Sequence, residues 1–138
     1  MRRYILDTEA LVWFLEKNPR LPKNIREDIE YMQYEYYVSC FSLMEIDNLR
    51  KLGKIELELT TTEILQQLNK SYIGMYYGDD DAFKALDSLE MKTINRKAHG
   101  DYIDRMIIAL SIAKHHTCIS SDKKFPYYRK DGLSLLEI

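Results

Sequence analysis

The sequence predicts an α/β protein with three layers, an α/β/α sandwich whose central sheet is mostly parallel. Short apolar segments rich in β-branched and aromatic residues alternate with segments whose apolar residues recur at helical spacing. Strands that alternate with helices pair in parallel through right-handed crossovers, which places helices on both faces of the sheet. No repeat, linker or low-complexity segment interrupts the 138 residues, so we expect a single domain over residues 1–138.

The first half of the chain predicts two strands, each followed by helices. In order, these are a strand over residues 3–6, a helix capped by Thr8, a helix opened by Pro22, a strand over residues 36–40, and a helix from Ser42 to about Gly53. Ser and Thr favour a helix start because their side chains accept a hydrogen bond from a free backbone N–H, and Pro favours it because it has no such N–H.

The second half predicts further helices and two more strands. In order, these are an amphipathic link over residues 54–59, a helix after Thr60, a helix starting at residues 79–81, a weak strand candidate over 91–94, a helix to about Lys114, a strand over 117–120, a surface turn or short helix over 125–128, and a strand over 133–138. Asp101 and Asp104 fall three residues apart in the first turn of the helix that ends near Lys114. Such acids are typical of helix N-termini.

Composition narrows the classes of function. The chain is 46% hydrophobic and 30% charged with a net charge of −2, which is ordinary for a globular protein. It has no signal-peptide pattern and no membrane-spanning run, so we expect a cytoplasmic protein without membrane association. Cys40 and Cys118 lie in apolar segments and are interpreted as free thiols. With so little positive charge, binding to nucleic acid would require metal ions or a partner.

Four carboxylates share one position relative to the predicted sheet. Asp7 ends the first strand, Glu45 lies early in the helix after the second strand, Asp104 lies in the first turn of a later helix, and Asp122 follows the strand over 117–120. The carboxyl ends of parallel strands form one edge, and ligands of open α/β sheets bind there. We therefore expect these four side chains to converge.

Four carboxylates in one crevice repel each other, and a hard divalent cation removes that penalty. Mg²⁺ and Mn²⁺ prefer carboxylate and water oxygens. A divalent ion held this way polarises a phosphate and lowers the pKa of a bound water. The constellation predicts phosphodiester hydrolysis assisted by Mg²⁺ or Mn²⁺, with these residues as its catalytic and metal-binding groups.

Each acid also has a local explanation. Asp7 and Asp122 could cap helices or turns, and Glu45 could be a solvated helix residue. A receiver-like regulatory module is a second possibility, but it usually requires an acid pair after the first strand, whereas Asp7 has only Glu9 nearby. Neither a Walker-type phosphate loop nor a dinucleotide-binding glycine motif is present. The convergence of all four acids on one edge is what the local explanations do not account for.

Four segments resemble the PIN domain, in particular VapC-like toxins of bacterial toxin–antitoxin pairs. They are Ile5-Leu6-Asp7-Thr8, residues 37–46 followed by Leu52-Gly53-Lys54-Ile55, His99 to Arg105, and Ile119 to Phe125. They occur in the family's order over nearly the whole chain. The chief departure is Tyr102, where the family usually has proline after the acid that corresponds to Asp101.

The resemblance implies a Mg²⁺- or Mn²⁺-dependent endoribonuclease that acts on RNA, forms a homodimer and is inhibited by a cognate antitoxin. Asp7, Glu45, Asp104 and Asp122 match the family's acidic cluster. Ser120 matches a Ser or Thr that can bond a carboxylate or a metal-bound water. A degenerate PIN-like domain that only binds proteins is the alternative.

Several further residues have candidate roles. Arg105 is predicted to pair with a neighbouring carboxylate, with phosphate contact as the other possibility. His99 is interpreted as a structural residue flanking a helix, although it could carry a proton. Four cations could line a substrate path or could be ordinary solvated side chains: Lys123, Lys124, Arg129 and Lys130.

Overall fold

The computed structural model describes residues 2–138, so Met1, where the predicted domain begins, lies outside the described residues. Its main sheet has five parallel strands in the order β3-β2-β1-β6-β7. These strands are β1 (Arg3–Leu6), β2 (Glu35–Ser39), β3 (Gly74–Tyr76), β6 (Thr117–Ser120) and β7 (Ser134–Glu137). A separate antiparallel hairpin joins β4 (Thr93–Ile94) and β5 (Lys97–Ala98). The order reverses between β1 and β6, so the switch point of this sheet lies at its centre.

Within residues 2–138, six α-helices and one 3₁₀ helix cover the sheet. They are α1 (Thr8–Glu16), α2 (Lys23–Glu30), α3 (Cys40–Lys51), α4 (Thr61–Lys70), α5 (Asp80–Ser88), α6 (Tyr102–Lys114) and the 3₁₀ helix Phe125–Asp131. None of the helices in residues 2–138 has the length and apolar character needed to cross a membrane.

Two apolar clusters, one on each face of the sheet, make this a three-layer structure. On β1, Tyr4 and Leu6 pack into the cluster formed with α1, α2, α3 and α4, whereas Ile5 packs into the cluster formed with α5, α6 and the 3₁₀ helix. Side chains alternate between the faces of a strand, so one short strand contributes to both cores. The predicted α/β/α architecture is therefore confirmed.

Strand β3 is absent from the sequence prediction. It has only three residues, all half-buried, and it begins at Gly74, which is a poor strand former. Glycine is required there because the ring of Tyr37 on β2 lies where a Cβ would project, 2.6 Å from it. Aromatic cover from the neighbouring strand thus explains a residue that argues against a strand when only the sequence is considered.

Some local expectations were wrong. Asp7, not Thr8, caps α1, since its Oδ1 accepts a hydrogen bond from the Ala10 N–H at 2.8 Å. Ser39, not Ser42, caps α3, which shifts the start of that helix to Cys40. The candidate strand at residues 91–94 is one arm of the hairpin outside the main sheet.

The segment predicted as a surface turn or short helix is a 3₁₀ helix over Phe125–Asp131, and one side of it is buried. Phe125 and Tyr128 are both fully buried and belong to the cluster packed by α6. Cys118 is a buried free thiol as predicted, while Cys40 is free and only partly covered.

Candidate active site

A cleft of about 580 Å³ opens at the carboxyl edge of the sheet. The four carboxylates predicted to converge all line it, together with Asp101: Asp7, Glu45, Asp101, Asp104 and Asp122. Asp7 lies at the N-terminus of α1, and Asp101 and Asp104 lie at that of α6, where the partial positive charge of a helix end favours carboxylates. Glu45 comes from the middle of α3, and Asp122 follows β6. The sheet-edge argument from sequence thus locates the residues correctly, and their chemical roles remain a prediction.

Asp7 lies at the centre of this arrangement. It is 4% exposed, and its backbone N–H donates to the Ile119 carbonyl at 3.0 Å, which holds it between β1 and β6. Its Oδ2 accepts a hydrogen bond from the Ser120 hydroxyl. Burial raises the pKa of Asp7 to about 6, although the hydrogen bonds from Ser120 and Ala10 oppose the shift. The carboxylate is thereby fixed in position but costly to ionise.

Ser120 joins two of the acids. Besides donating to Asp7, its hydroxyl oxygen accepts a hydrogen bond from the Asp122 N–H at 3.0 Å. The Asp122 carboxylate in turn accepts from the Lys124 N–H at 2.8 Å. Ser120 therefore contacts a carboxylate, as the resemblance implied, and it sets the turn that carries Asp122.

Asp104 has the most perturbed carboxyl group in the cleft. Burial raises its pKa to about 8, and the charges of Asp101, Asp122, Asp7 and Glu45 add to that shift. Burial also raises the pKa of Glu45, an effect that the Asp101 charge reinforces and the Thr8 hydroxyl opposes. An added cation would offset both causes of these raised pKa values, because its charge favours the ionised form of buried and mutually repelling carboxyls.

His99 and Tyr128 support Asp104 from behind. The His99 ring is buried, with Nε2 lying 3.4 Å from Asp104 Oδ2 and Nδ1 lying 2.7 Å from the Tyr128 hydroxyl. An ionised Asp104 only accepts hydrogen bonds, so Nε2 then carries the proton and Tyr128 donates to Nδ1. Burial lowers the pKa of His99, which favours this neutral form. The sequence interpretation of His99 as a helix-flanking residue missed this contact.

We expect Tyr128→Phe to reduce activity at the cleft by about 10-fold, because His99 would lose the donor that fixes its tautomer and ring orientation. Residues that orient a metal ligand directly typically contribute 10–100-fold, and Tyr128 acts on the predicted ligand Asp104 through His99, so we expect the lower end of that range. The measurement is kcat and KM of substrate cleavage, with kcat expected to fall and KM to stay constant. Tyr127→Phe, a change at the exposed neighbour, is the matched control. A Tyr128→Phe variant with wild-type kcat would contradict this role.

Asp101 acts as a helix cap. Its Oδ1 accepts hydrogen bonds from the Ile103 N–H at 3.1 Å and the Asp104 N–H at 3.0 Å. The departure from the usual proline at Tyr102 therefore leaves α6 properly started.

Asp101→Ala is expected to lower the free energy of unfolding by about 1 kcal/mol, the usual contribution of a carboxylate cap. Thermal or denaturant unfolding measures this effect. Asp101→Asn, which keeps the acceptor oxygen, is expected to retain most of that stability. Equal stabilities of the Ala variant and the wild type would show that the cap contributes nothing.

Arg105 does not pair with a carboxylate. Its guanidinium donates to the backbone carbonyls of Leu89 at 3.0 Å and Glu90 at 3.3 Å, beyond the C-terminal end of α5. The prediction of an ion pair was therefore wrong, because residue 105 points toward α5 and not along the cleft. The four cations proposed for a substrate path, Lys123, Lys124, Arg129 and Lys130, are absent from the cleft lining as well.

Asp79 also follows a strand at this edge, which the sequence prediction overlooked because it overlooked β3. This acid caps α5 through the Ala82 N–H at 2.9 Å and pairs with Lys114. It follows the outermost strand on that side of the sheet and does not line the cleft. Position within the sheet thus separates Asp79 from the acids that follow the central strands.

The cleft residues fit a hydrated divalent ion. Within residues 2–138, no three His, Cys, Asp or Glu side chains form a ready-made metal cluster. Mg²⁺ commonly keeps several waters and takes only one or two carboxylates directly, so it does not require such a cluster. All the charged donors at the sheet edge are carboxylate oxygens, the ligands that Mg²⁺ and Mn²⁺ prefer.

Fold and cleft together define a parallel α/β/α domain with an acidic site at the switch point of its sheet. The model of the PIN domain family matches residues 4–131, and the chain belongs to that family. No curated protein matches it significantly.

Solved structures of similar fold include three complexes. VapBC2 from Rickettsia felis bound to a promoter DNA fragment has a TM-score of 0.72 and 17% identity, over 98% of both chains. DNA-bound VapBC from Salmonella typhimurium has a TM-score of 0.70 and 17% identity, over 99% of this chain and 98% of that one. A toxin–antitoxin complex from Klebsiella pneumoniae has a TM-score of 0.63 and 16% identity, over 98% and 99%. At these identities the similarity establishes the fold.

Proposed function

We propose that the protein is a Mg²⁺- or Mn²⁺-dependent endoribonuclease and the toxin of a toxin–antitoxin pair. The observation that carries the proposal is the cleft itself, in which burial and the charges of four neighbouring carboxylates raise the pKa of Asp104 to about 8. Perturbed groups in a cleft mark functional sites, and so many acids at one strand edge suit a divalent cation. Membership of the PIN domain family supports the same chemistry.

The proposed roles of the cleft residues follow from their positions. Asp7, Glu45, Asp104 and Asp122 would hold the ion, which when bound supplies charge to polarise a phosphate and to acidify a water. Ser120 fixes the orientation of Asp7, and His99 fixes that of Asp104. Asp101 holds the first turn of α6 in place. The carboxylates are thus oriented before substrate arrives, which is how a rigid site lowers a barrier.

Cleavage of total RNA tests this proposal. We expect fragments with Mg²⁺ or Mn²⁺ and none with EDTA, and we expect activity to return when the metal is restored. RNA that stays intact in every metal condition would favour the alternative, a PIN domain that binds partners without catalysis. Repeating the assay with Ser121→Ala, a change in the cleft lining outside the acidic cluster, controls for nonspecific damage to the protein.

The structures of similar fold also support an antitoxin as the partner of this protein. The structures of similar fold from Rickettsia felis, Salmonella typhimurium and Klebsiella pneumoniae are toxin–antitoxin complexes or VapBC assemblies. Next to the acids lies a groove lined by Phe41 and Leu49 and by the exposed side chains Met44 and Tyr102. Exposed apolar side chains of this kind suit a protein contact.

The homodimer stays a prediction. Sedimentation of the purified protein measures its oligomeric state.

A further inference from the structure

The cleft continues beyond the acids as a groove between α1 and α3. On α1, Glu9, Val12, Trp13 and Glu16 line it at intervals of about one turn, and on α3 Glu45 and Leu49 do so. Both helices begin at the acidic edge of the sheet, so the groove runs from that edge toward their C-termini. From Asp7 to Trp13 the rise along the helix is about 9 Å.

The middle of this groove offers a flat aromatic side chain. Trp13, the only tryptophan in the chain, is half-buried and packs its covered side against the core. Val12, Leu49 and Ile55 line the same stretch, so Trp13 lies in a short apolar strip of the groove. A tryptophan presented beside a charged groove is a typical stacking platform for an unpaired base.

The far end of the groove carries two basic side chains beside one acid, Glu16. Arg20 follows α1 and Lys54 follows α3, and they are the only basic residues that line the cleft within residues 2–138. Both side chains are exposed, and neither forms an ion pair in that part of the chain. With Glu16 counted, the far end carries one net positive charge, whereas the charged side chains at the sheet edge are all acidic, so the charge of the groove changes sign along its length.

We propose that this groove binds a single-stranded segment of RNA, with a base stacked on Trp13 and the adjoining phosphates held by Arg20 and Lys54. The inference rests on the proposed function, since it places the strand so that the next phosphate reaches the acidic cluster. The distance from Asp7 to Trp13 corresponds to a few nucleotides at most. The groove would therefore recognise a short single-stranded segment and not a long base sequence. A duplex does not fit this mode, because its bases are stacked on each other and present no free face to Trp13.

Binding is measured in the Asp104→Asn background, where the RNA is expected to stay intact. Titration with a short single-stranded oligouridylate is expected to quench the Trp13 emission, and a duplex of equal length is not. Arg20→Gln and Lys54→Gln are each expected to reduce the slope of log affinity against log salt by about 0.7, the contribution of one phosphate contact on a single strand. Lys130→Gln, an exposed cation outside the cleft, is expected to leave the slope unchanged.

Substitutions of Trp13 distinguish base stacking on its ring from a purely structural role of the side chain. Trp13→Leu is expected to weaken binding by about 5-fold or more, whereas Trp13→Phe keeps a ring and is expected to weaken it less. In cleavage assays with Asp104 intact, Trp13→Leu, Arg20→Gln and Lys54→Gln should each raise KM and leave kcat near the wild-type value. Unquenched emission, or wild-type KM in both Arg20→Gln and Lys54→Gln, would overturn the groove assignment while leaving the nuclease proposal standing. Quenching and salt effects without any RNA cleavage would support RNA binding in the groove and contradict the proposed nuclease activity.

Discussion

Asp104→Asn is expected to abolish RNA cleavage, with kcat falling by more than about 100-fold, because even residues that only support metal ligands contribute 10–100-fold. The amide retains the shape of the carboxyl group but cannot hold a cation by charge. The same change is expected to stabilise the metal-free protein near pH 8 by about 2 kcal/mol. It removes a carboxyl whose pKa is raised to about 8 by burial and by the charges of the surrounding acids, and each pKa unit corresponds to about 1.4 kcal/mol before solvent screening.

Single-turnover cleavage and denaturant unfolding of the same preparations measure both effects. Asp101→Asn is the matched control, since it changes an acid in the same turn of α6 that caps the helix. That variant is expected to keep most of its activity and its stability. Loss of activity together with loss of stability in Asp104→Asn would mean that Asp104 supports the fold, and would contradict its assignment to the metal.

The stability of the metal-free protein is expected to fall as pH rises from about 4 to about 8. Burial raises the pKa of Asp7 to about 6 and that of Asp104 to about 8, both from an ordinary value of 3.8. Between those values these two carboxyls bind more protons in the folded protein than in the unfolded chain, so their contribution to the free energy of unfolding decreases with rising pH. The stabilisation that these two protonated carboxyls give the folded protein is fully present below about pH 4. It is lost by the time both groups have ionised.

Denaturant unfolding in EDTA across this pH range measures the slope. The change between about pH 5 and about pH 8 is expected to be a few kcal/mol in the wild type. In Asp104→Asn the upper part of the slope should disappear, leaving only the part due to Asp7. Stability that is flat or that rises with pH in the wild type would show that the cleft acids ionise without strain.

The convergence of Asp7, Glu45, Asp104 and Asp122 was predictable because it follows from chain topology. Alternating strands and helices fix a parallel sheet, and a parallel sheet brings the carboxyl ends of its strands to one edge. Family resemblance in the same segments pointed to the same residues. The prediction required no knowledge of side-chain packing.

Contacts between distant parts of the chain were not predictable in this way. His99 meets Tyr128 across 29 residues, and the sequence offers no sign that a 3₁₀ segment buries its aromatic side chains. Arg105 was assigned to a carboxylate because acids are its sequence neighbours, yet it turns toward the end of α5. Helix rotation decides such contacts, and sequence periodicity defines it only coarsely.

The groove residues illustrate the same limit. The sequence prediction gave no role to Trp13 or Arg20, and Lys54 entered it only as part of a segment that resembles the family. Only the packing of α1 against α3 brings them into one cleft. Strand β3 was missed for a related reason, because Tyr37 on the next strand supplies the cover that makes glycine acceptable at position 74.

Titration of the protein with Mn²⁺ at about pH 8, followed by its melting temperature, tests the central claim most directly. A cation that binds only the folded state stabilises it in proportion to the logarithm of its concentration. We expect the melting temperature of the wild type to rise with Mn²⁺, that of Asp101→Asn to rise similarly, and that of Asp104→Asn to change little. A wild-type melting temperature that does not respond to Mn²⁺, or an Asp104→Asn variant that responds equally, would contradict a metal site formed by the cleft acids.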